Sequence, residues 1–345
     1  MLSERIAAFV AGETGDGFDA LAGEAFALHF EHSPPLRRLA AAAGLTPETL
    51  ENWRQVPLIP TLAFKTMKLA VAEPREIFRS SGTTNATPSV HHHPYPELYR
   101  AVIDATFPRA LLGNLSRPPM LSLVPSREDA PESSLAFMIE HVLASWAGEG
   151  SRTVAGPGGV KARSARGFLA ARQRDRRPTV LLSTAFALVQ LIETLDRLQL
   201  SFRLPVGSRV FETGGYKGKS RELDRPELLA ALERRLGIPP TMVVTEYGMT
   251  ELTSHFYSSP RDQRPGHFAV PPWVRLRVLD PETLSEVRDG ESGLLAIFDL
   301  ANVGSAIHLL TEDVAIADDG GFRLVGRAAS AELRGCSLLS EELAG

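Results

Sequence analysis

The chain has 345 residues, enough for two domains or one large α/β unit with a substantial core. Its 43% hydrophobic and 23% charged residues are ordinary for a protein that lives in water, and a net charge of −4 without a Lys/Arg run argues against a nucleic-acid partner. The single cysteine, Cys336, excludes an internal disulfide and fits a reducing compartment.

Residues 1–78 read as a largely helical N-terminal segment punctuated by Pro34-Pro35, Pro57 and Pro60. Its opening, Met1-Leu2-Ser3-Glu4-Arg5, lacks the basic and apolar regions of an export signal. Next comes a hydroxyl-rich loop, Ser80-Ser81-Gly82-Thr83-Thr84. Apolar segments then alternate with helical ones. Strands are expected at Met120–Val124, Thr179–Ser183, Arg209–Glu212 and Thr241–Thr245, and helices at Glu132–Trp146, Ala185–Leu198 and from near Asp224 to Gly237. This alternation predicts a doubly wound, mostly parallel α/β sheet over 79–271, with ligands at the carboxyl ends of its strands. The most apolar stretch, Thr179 to Leu195, is too short and too polar for a membrane span, so the expectation is a cytoplasmic protein.

From about residue 272 the pattern changes. Val274-Arg275-Leu276-Arg277-Val278 alternates as a half-buried antiparallel strand does. Leu294–Phe298, Val314–Ala317 and Phe322–Val325 follow, the last two joined by Asp318-Asp319-Gly320-Gly321. Residues 272–327 are therefore read as a small antiparallel β subdomain and 328–345 as a tail carrying Cys336.

Several groups bear chemistry. Backbone N–H groups and hydroxyls of the Ser80–Thr84 loop suit phosphate oxygens, although such a run is more often a plain turn. Thr213-Gly214-Gly215-Tyr216-Lys217-Gly218-Lys219-Ser220 is a near miss to a P-loop, with Thr213 where a glycine is required; a glycine pair there also suits close approach to a flat ring. In Tyr247-Gly248-Met249-Thr250-Glu251, an aromatic ring, a hydroxyl and a carboxylate lie within five residues, and both Glu246 and Glu251 are candidate Mg²⁺ ligands. His91-His92-His93 alternates faces on a strand, so at most two imidazoles share a side, and a structural or pocket role is favoured over zinc. Arg172, Arg174, Arg176 and Arg177 read as a solvated loop or helix end. Asp313 and Arg327 have the chemistry to hold ribose hydroxyls and phosphate.

As an ordered set, Ser80–Thr84, Gly214-Gly215, Tyr247–Glu251, Thr311-Glu312-Asp313 and Gly326-Arg327 resemble the adenylate-forming superfamily. Within it, Glu212–Glu222 and the terminal Gly335-Cys336 most resemble the acyl-protein synthetase (LuxE-type) branch. The resemblance implies ATP and Mg²⁺ as cofactors and a two-step reaction. A carboxylic acid, expected to be fatty, becomes acyl-AMP with release of pyrophosphate, and a thiol then takes the acyl group. It assigns Ser80, Ser81, Gly82, Thr83 and Thr84 to the phosphates and Gly214, Gly215 and Tyr247 to adenine, with Gly248 among the cofactor-binding residues. Thr250 goes to the α-phosphate, Glu251 to Mg²⁺, Asp313 and Arg327 to ribose, and Cys336 to the acyl thioester. An acyl reductase or carrier protein is the implied partner.

The sequence departs from the superfamily in three places. Asn85-Ala86-Thr87-Pro88 carries no lysine, Thr311-Glu312-Asp313 replaces Thr-Gly-Asp, and the mobile C-terminal domain with its lysine has no counterpart. Transfer to a protein thiol is thereby favoured over CoA ligation. The alternatives are adenylation of an aryl or other secondary-metabolite acid for a separate carrier, and a non-catalytic ligand-binding protein on the same fold.

Overall fold

The computed structural model describes residues 1–13, 15–80, 87–214, 225–258, 264 and 266–328. These form two compact units. One contains the described residues of 1–105, 249–256 and 267–328, the other those of 106–248 and 257–266.

The first unit opens with helices α1 (Leu2–Ala11), α2 (Phe18–His32) and α3 (Pro34–Ala42). Gly12 ends α1 at φ 75°, and Pro34-Pro35 starts α3, where a missing N–H costs nothing. Strands β1 (Ile59–Pro60), β2 (Glu76–Arg79) and β3 (Val90–His93) follow, then α4 (Pro96–Phe107). The β2 and β3 strands pair as an antiparallel hairpin with Arg79 opposite Val90.

The second unit holds β4 (Met120–Ser122), α5 (Ser134–Trp146) and β5 (Arg152–Thr153). A tight hairpin of β6 (Ala155–Gly156) and β7 (Gly159–Val160) leads to α6 (Ala162–Asp175). Then come β8 (Val180–Thr184), α7 (Ala185–Arg197), β9 (Arg209–Thr213), α8 (Arg225–Leu236) and β10 (Val243–Tyr247). With β11 (Phe256–Ser258) the sheet order is β11-β10-β9-β8-β4-β5, and the pairs from β10 to β5 are parallel. The expected βαβα body is thus present, with each strand within a residue or two of its anticipated place. Helices α6, α7 and α8 bury Phe168, Leu188, Ile192 and Leu232 against Leu121, Leu181 and Val210 of the strands. Side-chain caps start two helices, Ser133 Oγ accepting from Ala136 N at 3.2 Å and Thr184 Oγ1 from Ala187 N at 3.2 Å. The arginine cluster departs from its reading in one member. Arg172 is buried over the Phe168 ring and paired with Asp175 at 2.8 Å, because its position in α6 faces the core.

The first unit closes with β12 (His267–Ala269), β13 (Val274–Leu279), β14 (Ser292–Asp299), β15 (His308–Asp318) and β16 (Gly321–Arg327). Their antiparallel order is β12-β16-β15-β14-β13. The β15–β16 turn falls where the Asp-Gly signal put it, with Asp318 opposite Gly321 and Gly320 at φ 70°. This sheet is not a block apart from the N-terminal residues. The β1 strand joins it parallel to β15, with Ile59 opposite Leu309, and Phe18 and Trp53 both pack edge-on at 5.6 Å from the Phe298 ring.

Candidate active site

In the first unit, Thr61, Leu62, Lys65, Ser89, Met249, Glu251, Thr311, Glu312, Asp313 and Arg327 line one cleft. Its space is about 310 Å³, counting what opens to solvent. Five separated stretches of chain meet there. The pairing of β1 with β15 delivers the 3₁₀ turn Thr61–Lys65 to one wall. In such a turn, residues three apart share a face, so Leu62 and Lys65 both reach the cleft.

Three consecutive residues, Thr311, Glu312 and Asp313, line the cleft, which regular strand alternation forbids. A bulge resolves the conflict. Leu294 pairs with Val314 and Ala296 with Leu310, so one residue of β14 faces three of β15. The buried Thr311 hydroxyl bridges the gap, donating to Leu295 O at 2.8 Å and accepting from Asp313 N at 3.1 Å. Across the next ladder, Asp313 stands opposite Arg327, whose Nε donates to Asp313 Oδ1 at 3.2 Å, with Glu312 at 4.0 Å. The two residues expected to serve ribose are therefore also each other's ion pair.

Glu251 reaches the cleft from a segment fixed at four of its five residues from Thr250 to Ser254. His91 Nδ1 donates to Thr250 O at 2.7 Å, and Asn302 Nδ2 donates to Glu251 O at 3.0 Å. Thr253 Oγ1 donates to Asn302 Oδ1 at 2.7 Å and lies 3.0 Å from His93 Nε2, so that nitrogen carries the proton. Asp299 accepts from Ser254 N at 2.9 Å and Ser254 Oγ at 2.7 Å, and Trp273 Nε1 donates to the same hydroxyl at 2.9 Å. His91 and His93 are the two imidazoles that alternation places on one side of β3. Both are buried, in a position for positioning rather than for metal ligation. Desolvation drives His91 down to about 4 and His93 well below the ordinary imidazole value, so both are neutral at physiological pH. Burial pushes the Asp299 carboxyl upward against the hydrogen bonds it accepts.

Among the expected phosphate residues, Ser80 accepts from Ser89 N at 2.9 Å through its hydroxyl, and its own N–H donates to Ser89 O at 3.0 Å. It closes the neck of the β2–β3 hairpin, and Ser89 on the other side of that neck is the residue lining the cleft. Ser81, Gly82, Thr83, Thr84, Gly215 and Cys336 lie outside the described residues. Thr250 contributes its carbonyl to the His91 bond and is not among the lining residues.

The remaining candidates belong to the second unit, since the division falls between Gly248 and Met249. Gly214 ends β9 at φ 72°, and a Cβ there would meet nothing within 4 Å. Backbone conformation, not crowding in the protein, selects the glycine. Tyr247 is buried at the end of β10. Glu246 accepts from the Thr213 hydroxyl opposite it, and Glu212 pairs with Arg225 at 2.8 Å. Glu246 is thus tied into the sheet, while Glu251 lines the cleft. No cluster of three or more metal-ligating side chains occurs among the described residues. This donor set fits Mg²⁺, which takes one or two protein carboxylates and completes its shell with water and phosphate oxygens.

A doubly wound parallel sheet together with a bulged antiparallel sheet is the architecture of the adenylate-forming, AMP-forming ligases. Solved structures agree on the fold. A 2-hydroxyisobutyryl-CoA ligase in its postadenylation state with 2-HIB-AMP matches with a TM-score of 0.66 at 16% identity, covering 90% of this chain and 67% of that one. A long-chain-fatty-acid-CoA ligase from Archaeoglobus fulgidus gives 0.52 at 16% identity over 73% of this chain and 51% of that one. In sequence, the long-chain-fatty-acid–luciferin-component ligase of Aliivibrio fischeri is 22% identical over 308 residues, 87% of this chain and 79% of that protein. Its namesake from Vibrio harveyi is 30% identical over 134 residues, 36% of this chain and 34% of that protein. The profile of the acyl-protein synthetases, LuxE, matches residues 169–344. The chain belongs to the LuxE acyl-protein synthetase family. No helix among the described residues is long and apolar enough to cross a membrane.

Proposed function

We propose that this protein activates a fatty acid with ATP and passes the acyl group to a protein thiol. The observation that carries the reading is the meeting of Ser89, Glu251, Thr311–Asp313 and Arg327, from four distant stretches, on one cleft. The names of the two ligase relatives supply the substrate class. In the first step a carboxylate oxygen attacks the α-phosphorus, the bond to the β-phosphate breaks, and pyrophosphate leaves. In the second a thiolate attacks the acyl carbonyl and AMP leaves.

Glu251 is the ligand for Mg²⁺, which supplies charge neutralisation of the phosphates when bound. Asp313 and Arg327 take the ribose, and Thr250 the α-phosphate. Ser80–Thr84 take the outer phosphates, with Ser80 anchoring their loop through Ser89. Gly214, Gly215 and Tyr247 keep the adenine role, and Gly248 remains a cofactor-binding residue. Cys336 is the acyl acceptor, and an acyl reductase or carrier is the downstream partner.

The test is ATP–pyrophosphate exchange dependent on added acid, across a chain-length series of fatty acids and a set of aryl acids. Exchange with fatty acids that falls at least a hundredfold in Glu251→Ala supports the reading; exchange restricted to aryl acids, or absent with every acid, overturns it. A hydroxylamine-labile acyl adduct on the wild type that persists on Cys336→Ser would remove that cysteine from the second step.

A further inference from the structure

The cleft carries two cations, and their situations differ. Arg327 is engaged with Asp313 and Glu312 across the β15–β16 ladder. Lys65, at the end of the Thr61–Lys65 turn, is half-buried and lines the same cleft as Glu251, Glu312 and Asp313. It nonetheless makes no hydrogen bond or ion pair within 4.0 Å among the described residues. A half-buried lysine that lines one cleft with Glu251, Glu312 and Asp313, and pairs with none of them, is placed to meet an anion there. An anion in the cleft supplies the missing interaction.

The chain restricts what that anion is. Residues 80–89, whose neck borders the cleft at Ser89, contain hydroxyls but no lysine or arginine. Hydroxyls and N–H groups orient a polyphosphate but do not neutralise it, and phosphoryl chemistry depends on cations at the phosphate oxygens. Lysine suits that task as a compact point charge on a flexible stem, able to follow an oxygen as the geometry changes. The parallel pairing of Ile59 and Pro60 with Leu309 and Leu310 fixes the turn beside the Thr311–Asp313 bulge, so the cation is built into the cleft wall.

We propose that Lys65 is a phosphate-binding residue of the nucleotide site, supplying from the N-terminal segment the cation that the 80–89 loop lacks. This rests on reading the cleft as a nucleotide site. The test measures dissociation constants of adenosine, AMP, ADP and ATP by calorimetry on the full chain and on Lys65→Met and Lys65→Arg. Methionine keeps the aliphatic stem in place and removes only the charge. The expected result is a ten- to hundredfold loss of affinity in Lys65→Met for at least one phosphorylated nucleotide. Adenosine binding stays unchanged, and Lys65→Arg recovers most of the loss. The first member of the series to lose affinity identifies the phosphate. Equal affinities for all four in wild type and Lys65→Met overturn the proposal. So does a loss that includes adenosine. Nucleotide binding without acid-dependent exchange in the wild type defeats the proposed reaction and leaves this assignment standing. A wild type that binds no nucleotide overturns both.

Discussion

The two units solve the problem of burial in different ways. In the parallel-sheet unit, α6–α8 and the strands meet through leucine, isoleucine, valine and phenylalanine, as a sheet covered by helices requires. In the antiparallel unit, the functional stretch is fixed by buried polar groups: His91, His93, Asp299 and Asn302. Two more buried imidazoles tie other parts of that unit to backbone carbonyls, His29 to Val303 at 2.8 Å and His308 to Val56 at 2.7 Å. The shifted groups His29, His91, His92, His93, Asp299 and His308 all belong to this unit. Apolar packing tolerates substitutions that conserve volume, whereas a polar network specifies one arrangement and is costly to leave half-satisfied. The stretch that places Glu251 is held in the second manner.

Acid is the sharpest way to separate the units. Burial lowers His29 and His91 to about 4 and His308 to about 3. The unfolded chain binds these protons near 6.5 and the folded one does not, so stability falls as pH drops below that value. Each histidine contributes up to roughly 1.4 kcal/mol per pH unit once the pH is well below 6.5, and three of them about 5 kcal/mol between pH 6.5 and 5, a large share of a domain's stability. Asp299, shifted upward by burial, acts in the opposite sense, favouring the fold as pH falls through its raised value. Hydrogen exchange at pH 7 and pH 5 should show β13–β16 losing protection first while β8–β10 keep theirs. Simultaneous loss would dissolve the contrast.

Leu188→Ala addresses the other side, with an expected cost of about 2–5 kcal/mol at a fully buried position of the parallel-sheet unit. Its half-saturating ATP concentration in the exchange assay should match wild type at temperatures where the variant stays folded. Asn302→Leu removes three hydrogen bonds from the Glu251–Ala306 region and should cost about 2–3 kcal/mol in urea titration. Unlike Leu188→Ala, it should also raise the ATP requirement. The smallest effect belongs to Thr311→Val, which removes the hydroxyl bridging the bulge for about 1–2 kcal/mol. Nucleotide half-saturation should rise with turnover nearly unchanged, and Thr311→Ser should restore it. A Thr311→Val enzyme with unaltered saturation would show that the bulge does not aim the cleft residues.

The difference also explains what the sequence revealed. The strands and helices of the parallel sheet were legible because short apolar runs and caps are local signals. Alternation along His91–His93 correctly left two imidazoles to one side. Asp313 was legible as chemistry but not as geometry. A strand was expected to begin at Val314, yet β15 begins at His308, and the apparent strand end is a bulge inside it. Lys65 and Asn302 carried no local signal. Lys65 depends on a strand pairing that spans 250 residues, Ile59 with Leu309, and Asn302 on contacts 51 residues back at Glu251.

The same long pairing bears on how the molecule is made. Helix α2 and strand β1 leave the ribosome early, but the sheet that Phe18 and Ile59 join is finished only with β16. At about 5–20 residues per second, the roughly 220 residues between Ala105 and Arg327 take about 10–45 s to translate. The parallel-sheet unit, drawn almost wholly from a continuous run, is able to close during that interval. The nascent N-terminal segment meanwhile exposes Ile6, Leu21 and Phe26, later among the most deeply buried side chains, and for that interval it is a natural client for a chaperone.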